Sequence, residues 1–168
     1  MKVITIAIIL IAILLVSCKK DLITGSVTID TTKQAAGGTF KDTGNEICAE
    51  DGKPIIRLFA TSWCPHCLWI KPTFMKVTSE YAADGKIAAY LWEVDKNDNL
   101  LTDEKESSIP KSEQDIFAKF NEKGSVPTFV FGCKYVRVGN AYETERNLAA
   151  EESEFRAVID KLLQESKT

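Results

Sequence analysis

Residues Trp63-Cys64-Pro65-His66-Cys67 constrain the fold more than any other stretch. They stand between an apolar run, Ile55 to Ala60, broken only by Arg57, and a segment of helical periodicity that begins near Leu68. Two cysteines separated by two residues can close a small disulfide ring. At the first turn of a helix the leading sulfur meets unpaired backbone N–H groups and the positive end of the helix dipole. Both favour a thiolate, the nucleophile of thiol-disulfide exchange. A strand must therefore run straight into a helix, with a dithiol at the junction.

The flanking sequence supplies the other elements. Ile55 to Ala60 reads as a central strand covered on both faces, with Pro54 at its start. Leu68, Ile70, Phe74, Val77 and Tyr81 recur at helical spacing, Pro72 predicts a kink, and Gly85 is placed to stop the helix. Ile87 to Val94 is a second strand, followed by Asp95. Lys96 to Lys111 is polar and turn-prone, a surface loop or an inserted partner-binding element. Ser112 and Asp115 form an S-x-x-D cap for a helix with Ile116, Phe117 and Phe120 on its apolar face, ending at Gly124. Val126-Pro127 precedes a third strand, Thr128 to Phe131, and Gly132-Cys133-Lys134 turns it into a hairpin with Tyr135 to Val138. Phe155, Val158, Ile159 and Leu162 mark an amphipathic C-terminal helix. At 168 residues the chain has room for one such α/β domain and a short appendage.

The appendage is N-terminal. After Lys2 an apolar run extends from Val3 to Val16, too short for a membrane-spanning helix, and reads as a secretory signal. Its end, Leu15-Val16-Ser17-Cys18, resembles the bacterial lipobox, which implies cleavage before Cys18 and lipidation of that cysteine. Residues 1–17 are then a lipoprotein signal peptide. Residues 18–45, rich in Thr, Gly, Lys and Asp, are a lipidated tether in which Val27-Thr28-Ile29 is either a short edge strand or linker. The folded domain is expected over 46–168, outside the cytoplasmic membrane, in the periplasm or at the cell surface. Cys48, Cys64, Cys67 and Cys133 remain besides Cys18, an even set suited to an oxidising compartment. A formal net charge of -3 provides no basic footprint for nucleic acid. Zinc is not indicated either, since the second half of a zinc site is missing.

The element order, with Trp-Cys-x-x-Cys after the first core strand and Val126-Pro127-Thr128 before the third, resembles the thioredoxin superfamily. Pro72 and Asp95 fall where that family carries its helix proline and its strand-ending aspartate. The resemblance implies a thioredoxin fold with a central mixed β-sheet flanked by helices. It implies Cys64 as the exposed attacking cysteine, Cys67 as the buried resolving one, and Trp63 as a shield or substrate contact. Pro127 would be cis, which sets the Val126 backbone beside the site to pair with an extended substrate. Pro65-His66 matches the DsbA-type oxidases. His66, the only histidine in the chain, could donate a hydrogen bond or bring positive charge to the Cys64 thiolate. Cys67 and Pro127 are 60 positions apart, too few for the helical insertion of DsbA proteins. The buried acid that the family carries six residues before the first cysteine is Leu58 here, and Glu93 is the candidate to replace it.

In this fold Cys48 and Cys133 lie at the pole away from the dithiol. That placement favours a structural disulfide over free buried cysteines or a second redox relay. Apart from a redox-active Cys64–Cys67 disulfide no cofactor is implied. The expected partners are protein thiols or disulfides, an unidentified membrane or extracytoplasmic redox partner, and the membrane itself through the lipid. The expected activity is thiol-disulfide exchange, with Pro65-His66 inclining it to oxidase or isomerase. The alternatives are a reductase of the TlpA or cytochrome c maturation type and a non-catalytic binding lipoprotein.

Overall fold

The computed structural model describes residues 38–167. The expected signal peptide, Cys18, Val27-Thr28-Ile29 and most of the expected tether lie outside that range. In chain order the elements are β1 (Lys41–Asp42), β2 (Ala49–Glu50), β3 (Lys53–Ala60), α1 (Pro65–Ala83), β4 (Ala88–Glu93), β5 (Asp98–Asn99), α2 (Lys111–Phe120), β6 (Thr128–Phe131), β7 (Tyr135–Val138) and α3 (Leu148–Glu165). The sheet order is β1-β7-β6-β3-β4-β5, and β2 pairs with β3. It is mixed: β4 runs parallel to β3, while β6 is antiparallel to it.

β3 is almost wholly apolar because both its faces are covered. Ile56, Leu58 and Ala60 enter a core with Ile70, Phe74 and Val77 of α1 and Phe155, Val158, Ile159 and Leu162 of α3. Phe59 faces the other way, with Trp92, Val130 and the α2 residues Ile116, Phe117 and Phe120. Each face also carries a charged anchor. Arg57 donates from Nε and Nη2 to Glu113 of α2 at 2.7 and 2.8 Å, and Trp92 Nε1 donates to the same carboxylate at 3.1 Å. On the opposite face Arg137 of β7 pairs with Glu151 and Glu154 of α3 at 2.5 and 2.7 Å.

Several expectations are corrected. The folded part begins before residue 46: Phe40 is buried among Phe129, Phe131 and Phe155, and β1 pairs with β7, so an apolar anchor outweighs a tether-like composition. α1 starts at Pro65 rather than near Leu68, because Pro65 is preset for the first helical position and Cys64 caps it. Cys67, Ile70, Lys71, Phe74, Val77 and Thr78 then form the inward face, which turns Leu68 outward. Ser112 does not cap α2: Pro110 precedes the helix, no side chain caps it, and Asp115 pairs with Lys111. Glu113, buried against Arg57, fixes that register instead. Part of 96–111 is not loop, since β5 pairs with β4 and the buried Asn99 side chain accepts from the Leu91 and Leu101 N–H groups. Gly124 closes a turn beyond α2, its N–H donating to Asn121 O. No helix among the described residues is long and apolar enough to cross a membrane.

A disulfide joins Cys48 to Cys133, 85 positions apart with their Cα atoms 5.4 Å apart. It ties the segment before β3 to the β6–β7 turn, where Cys48 N–H also donates to Gly132 O at 2.8 Å. Gly132 is required there: its φ is +59°, and a Cβ would come within 2.8 Å of Leu162. Replacing both cysteines by serine is expected to cost about 2–4 kcal/mol, the scale for closing so long a loop. A urea melt of oxidised protein checks this, and an unchanged midpoint contradicts it.

Candidate active site

β3, a central strand, delivers the chain to Thr61-Ser62-Trp63 at one end of the sheet, and Asp95, just beyond β4, holds that turn. The Ser62 N–H and hydroxyl donate to the Asp95 carboxylate at 2.9 and 2.5 Å. Burial pulls the Asp95 carboxyl upward, but these hydrogen bonds prevail and hold it below the ordinary range. Trp63 is 71% exposed, a flat apolar surface beside the dithiol.

Cys64 is the N-cap of α1. Its sulfur accepts the Cys67 N–H at 3.3 Å and lies 3.8 Å from Val126 O, to which its S–H donates. The two thiols are free, not bonded to each other. The Val126–Pro127 peptide bond is cis, which brings the Val126 carbonyl to the sulfur. Asn121 pins the approach to that bond: its Nδ2 donates to Ser125 O and, at 2.7 Å, to Thr128 Oγ1. Pro127 O in turn accepts the Gly139 N–H at 2.8 Å. Cys64 is not exposed as expected: the residue is 4% accessible, because Val126 and the helix start close over it.

Cys67 is fully buried, and its thiol is pushed up from 9.0 to about 12. Burial is the leading cause, with the Cys64 side chain adding to it; the Thr61 N–H and the Lys71 charge pull the other way. Lys71, one turn further along α1, is itself buried and forms an ion pair with Glu93. Glu93, the candidate to replace the family's acid, is thus paired with Lys71, and it is the Lys71 charge that favours the Cys67 thiolate. Lys71 was not singled out in the sequence, although a lysine four residues after Cys67 on an otherwise apolar face was a readable signal. The thiolate of Cys67 is scarce at neutral pH and increases as pH rises. In a Cys64→Ser variant, thiolate absorbance is expected to remain below half-titration at pH 9. A midpoint below about pH 8.5 contradicts this.

His66 is not on the Cys64 sulfur. Its Nδ1 lies 2.8 and 2.9 Å from the two carboxylate oxygens of Glu143. Asn140 Nδ2 donates to the same carboxylate at 2.7 Å and to His66 O at 2.9 Å. Burial pulls the Glu143 carboxyl up, but the Asn140 and His66 contacts leave it below its ordinary value. Glu143 and Asn140 escaped sequence reasoning, since only the β7–α3 connection brings them to a residue more than 70 positions earlier. His66, Val126, Pro127, Gly139, Asn140, Glu143 and Thr144 line a cleft of about 410 Å³. The structure thus groups Trp63, Cys64, Pro65, His66, Cys67, Val126 and Pro127 at one end of the sheet. The sheet separates them from the Cys48–Cys133 bridge: β3 carries its Lys53 end at the bridge and its Ala60 end at the dithiol.

The family model described as Thioredoxin matches residues 38–117, a span that includes both cysteines of the dithiol. No curated protein and no solved structure matches the chain. With β3 flanked by parallel β4 and antiparallel β6, and helices on both faces, the chain has a thioredoxin fold.

Proposed function

We propose that this protein is a thiol-disulfide oxidoreductase that exchanges disulfides with protein substrates through Cys64 and Cys67. The observation that carries the reading is the Cys64 sulfur. It caps α1, receives the Cys67 N–H and lies against the carbonyl that precedes a cis proline. A thiolate there gains from the helix N-terminus, and an extended substrate can pair with the Val126 backbone while presenting its sulfur.

In the reducing direction the Cys64 thiolate attacks one sulfur of a substrate disulfide. That S–S bond breaks, the departing sulfur takes up a proton, and a mixed disulfide forms. Cys67 then loses its proton, attacks the Cys64 sulfur, forms the Cys64–Cys67 disulfide and expels the second substrate thiol. Two electrons pass from the enzyme dithiol to the substrate disulfide; oxidation of a substrate dithiol is the reverse. Burial keeps Cys67 protonated until it is needed, and the Lys71 ammonium favours the thiolate when the attack comes.

Pro65-His66 supports an oxidase or isomerase direction, by its match to DsbA-type dipeptides. The TlpA-type reductase is the second reading, favoured by a histidine that is paired with Glu143 rather than with sulfur. The lipobox-like sequence ending at Cys18 supports a lipid-anchored, extracytoplasmic protein. Equilibration with glutathione buffers tests the direction. A potential well above that of thioredoxin, with catalysed oxidation of a reduced, unfolded substrate, supports the oxidase. A potential at or below thioredoxin's, with insulin reduction the faster reaction, reverses it. Absence of both activities removes the enzyme reading.

A further inference from the structure

We infer that Glu143 is a positioning residue that lowers the oxidising power of the dithiol by holding His66 away from the Cys64 sulfur. The inference rests on the thiol-disulfide reading of the site and adds a residue outside the Cys-x-x-Cys motif that sets its redox balance.

The restraint on His66 has two points. Glu143 takes the imidazole Nδ1 with both carboxylate oxygens, and Asn140 Nδ2 bridges from that carboxylate to the backbone carbonyl of His66. The loop that carries both residues is itself fixed. The Ala141 and Tyr142 N–H groups donate to Glu151 Oε1 at 2.7 and 3.0 Å, and Glu151 is fully buried and paired with Arg137. The carboxylate is therefore presented from a rigid base rather than from a wandering surface chain.

Cys64 is left with other partners. Its sulfur contacts the Cys67 N–H and Val126 O, and neither brings positive charge. A proton on Nδ1 that is donated to Glu143 is not donated to sulfur. Without that donor the reduced, ionised form of the dithiol is less stable, and a couple whose reduced form is less stable is less oxidising. Of the other charges near the dithiol, Lys71 pairs with Glu93 and Asp95 is held by Ser62, while Glu143 contacts His66 and Asn140.

The test uses the full chain as parent, Glu143→Gln, Glu143→Ala, His66→Ala and the His66→Ala/Glu143→Gln double variant. Each is equilibrated with reduced and oxidised glutathione, and the reduced fraction is read by alkylation and mass. Glu143→Gln and Glu143→Ala are expected to shift the equilibrium about tenfold toward reduced enzyme, about 30 mV for this two-electron couple. Alkylation of Cys64 at a fixed pH of 6 is expected to speed up in parallel. In the His66→Ala background the same Glu143→Gln change is expected to shift the equilibrium less than about twofold. An unchanged or opposite shift, or an equal shift without His66, overturns the role of Glu143 while leaving the exchange reading in place. A parent protein that does not equilibrate with glutathione at all overturns both.

Discussion

The Cys64→Ser protein is expected to lose catalysed insulin reduction by at least about a thousandfold, the scale seen when a nucleophile is removed. A serine hydroxyl does not ionise near neutral pH and cannot form the mixed disulfide. Cys67 cannot stand in, because it is fully buried and its thiol is held near 12. The loss reports chemistry rather than folding. At this position the side chain accepts the Cys67 N–H as a helix cap, and serine is a preferred capping residue. The melting temperature should therefore remain close to that of the reduced parent. Turbidity measurement of insulin reduction checks the rate. Retention of more than a few per cent of the parent rate would place the nucleophile elsewhere.

Arg137→Met is expected to have the largest effect on stability. The guanidinium is 5% accessible and serves two fully buried carboxylates, Glu151 and Glu154, with the rings of Phe40, Phe129 and Phe155 between 4.6 and 5.3 Å away. Removing the cation leaves both acids buried without their partner, at a cost of about 3–5 kcal/mol. For a domain of this size that is roughly a 10 °C fall in Tm. Glu154 also accepts the Thr39 N–H and hydroxyl, and Glu151 holds the loop of Asn140 and Glu143. The same substitution should therefore loosen the N-terminal strand and the cleft together. Adding Glu151→Gln and Glu154→Gln should recover part of the loss, because neutral amides no longer need the cation. A Tm within about 2 °C of the parent for Arg137→Met alone contradicts this reading.

The strands and helices were legible because their periodicity reflects burial. Ile55 to Ala60 and Thr128 to Phe131 are apolar because helices cover both faces of the sheet. The dithiol was legible because its chemistry requires two cysteines in a fixed local spacing. What escaped depends on contacts between distant parts of the chain. Phe40 lies in polar sequence and reveals its role only when β1 meets β7. Ser112 has the pattern of a cap, but α2 starts after Pro110, two residues earlier, where Glu113 pairs with Arg57, 56 positions away. Ile70, Phe74 and Val77 face inward as expected, but Leu68 is turned about 100° away because its neighbour Cys67 occupies that face. His66 sits beside the dithiol by its position in the chain, but its partner comes from a loop beyond β7 that no local pattern links to the motif. Charged residues in strands, Arg57 and Arg137, gave no hint of direction, since which acid they meet is decided by α2 and α3.

Cys67→Ala protein, incubated with a peptide disulfide and read by mass spectrometry after digestion, isolates the first exchange step, because the variant can attack but cannot resolve. A single mixed disulfide on Cys64, absent from the Cys64→Ser/Cys67→Ala double variant, is the expected result. No adduct, or an adduct on any other cysteine, would contradict thiol-disulfide exchange at the α1 cap.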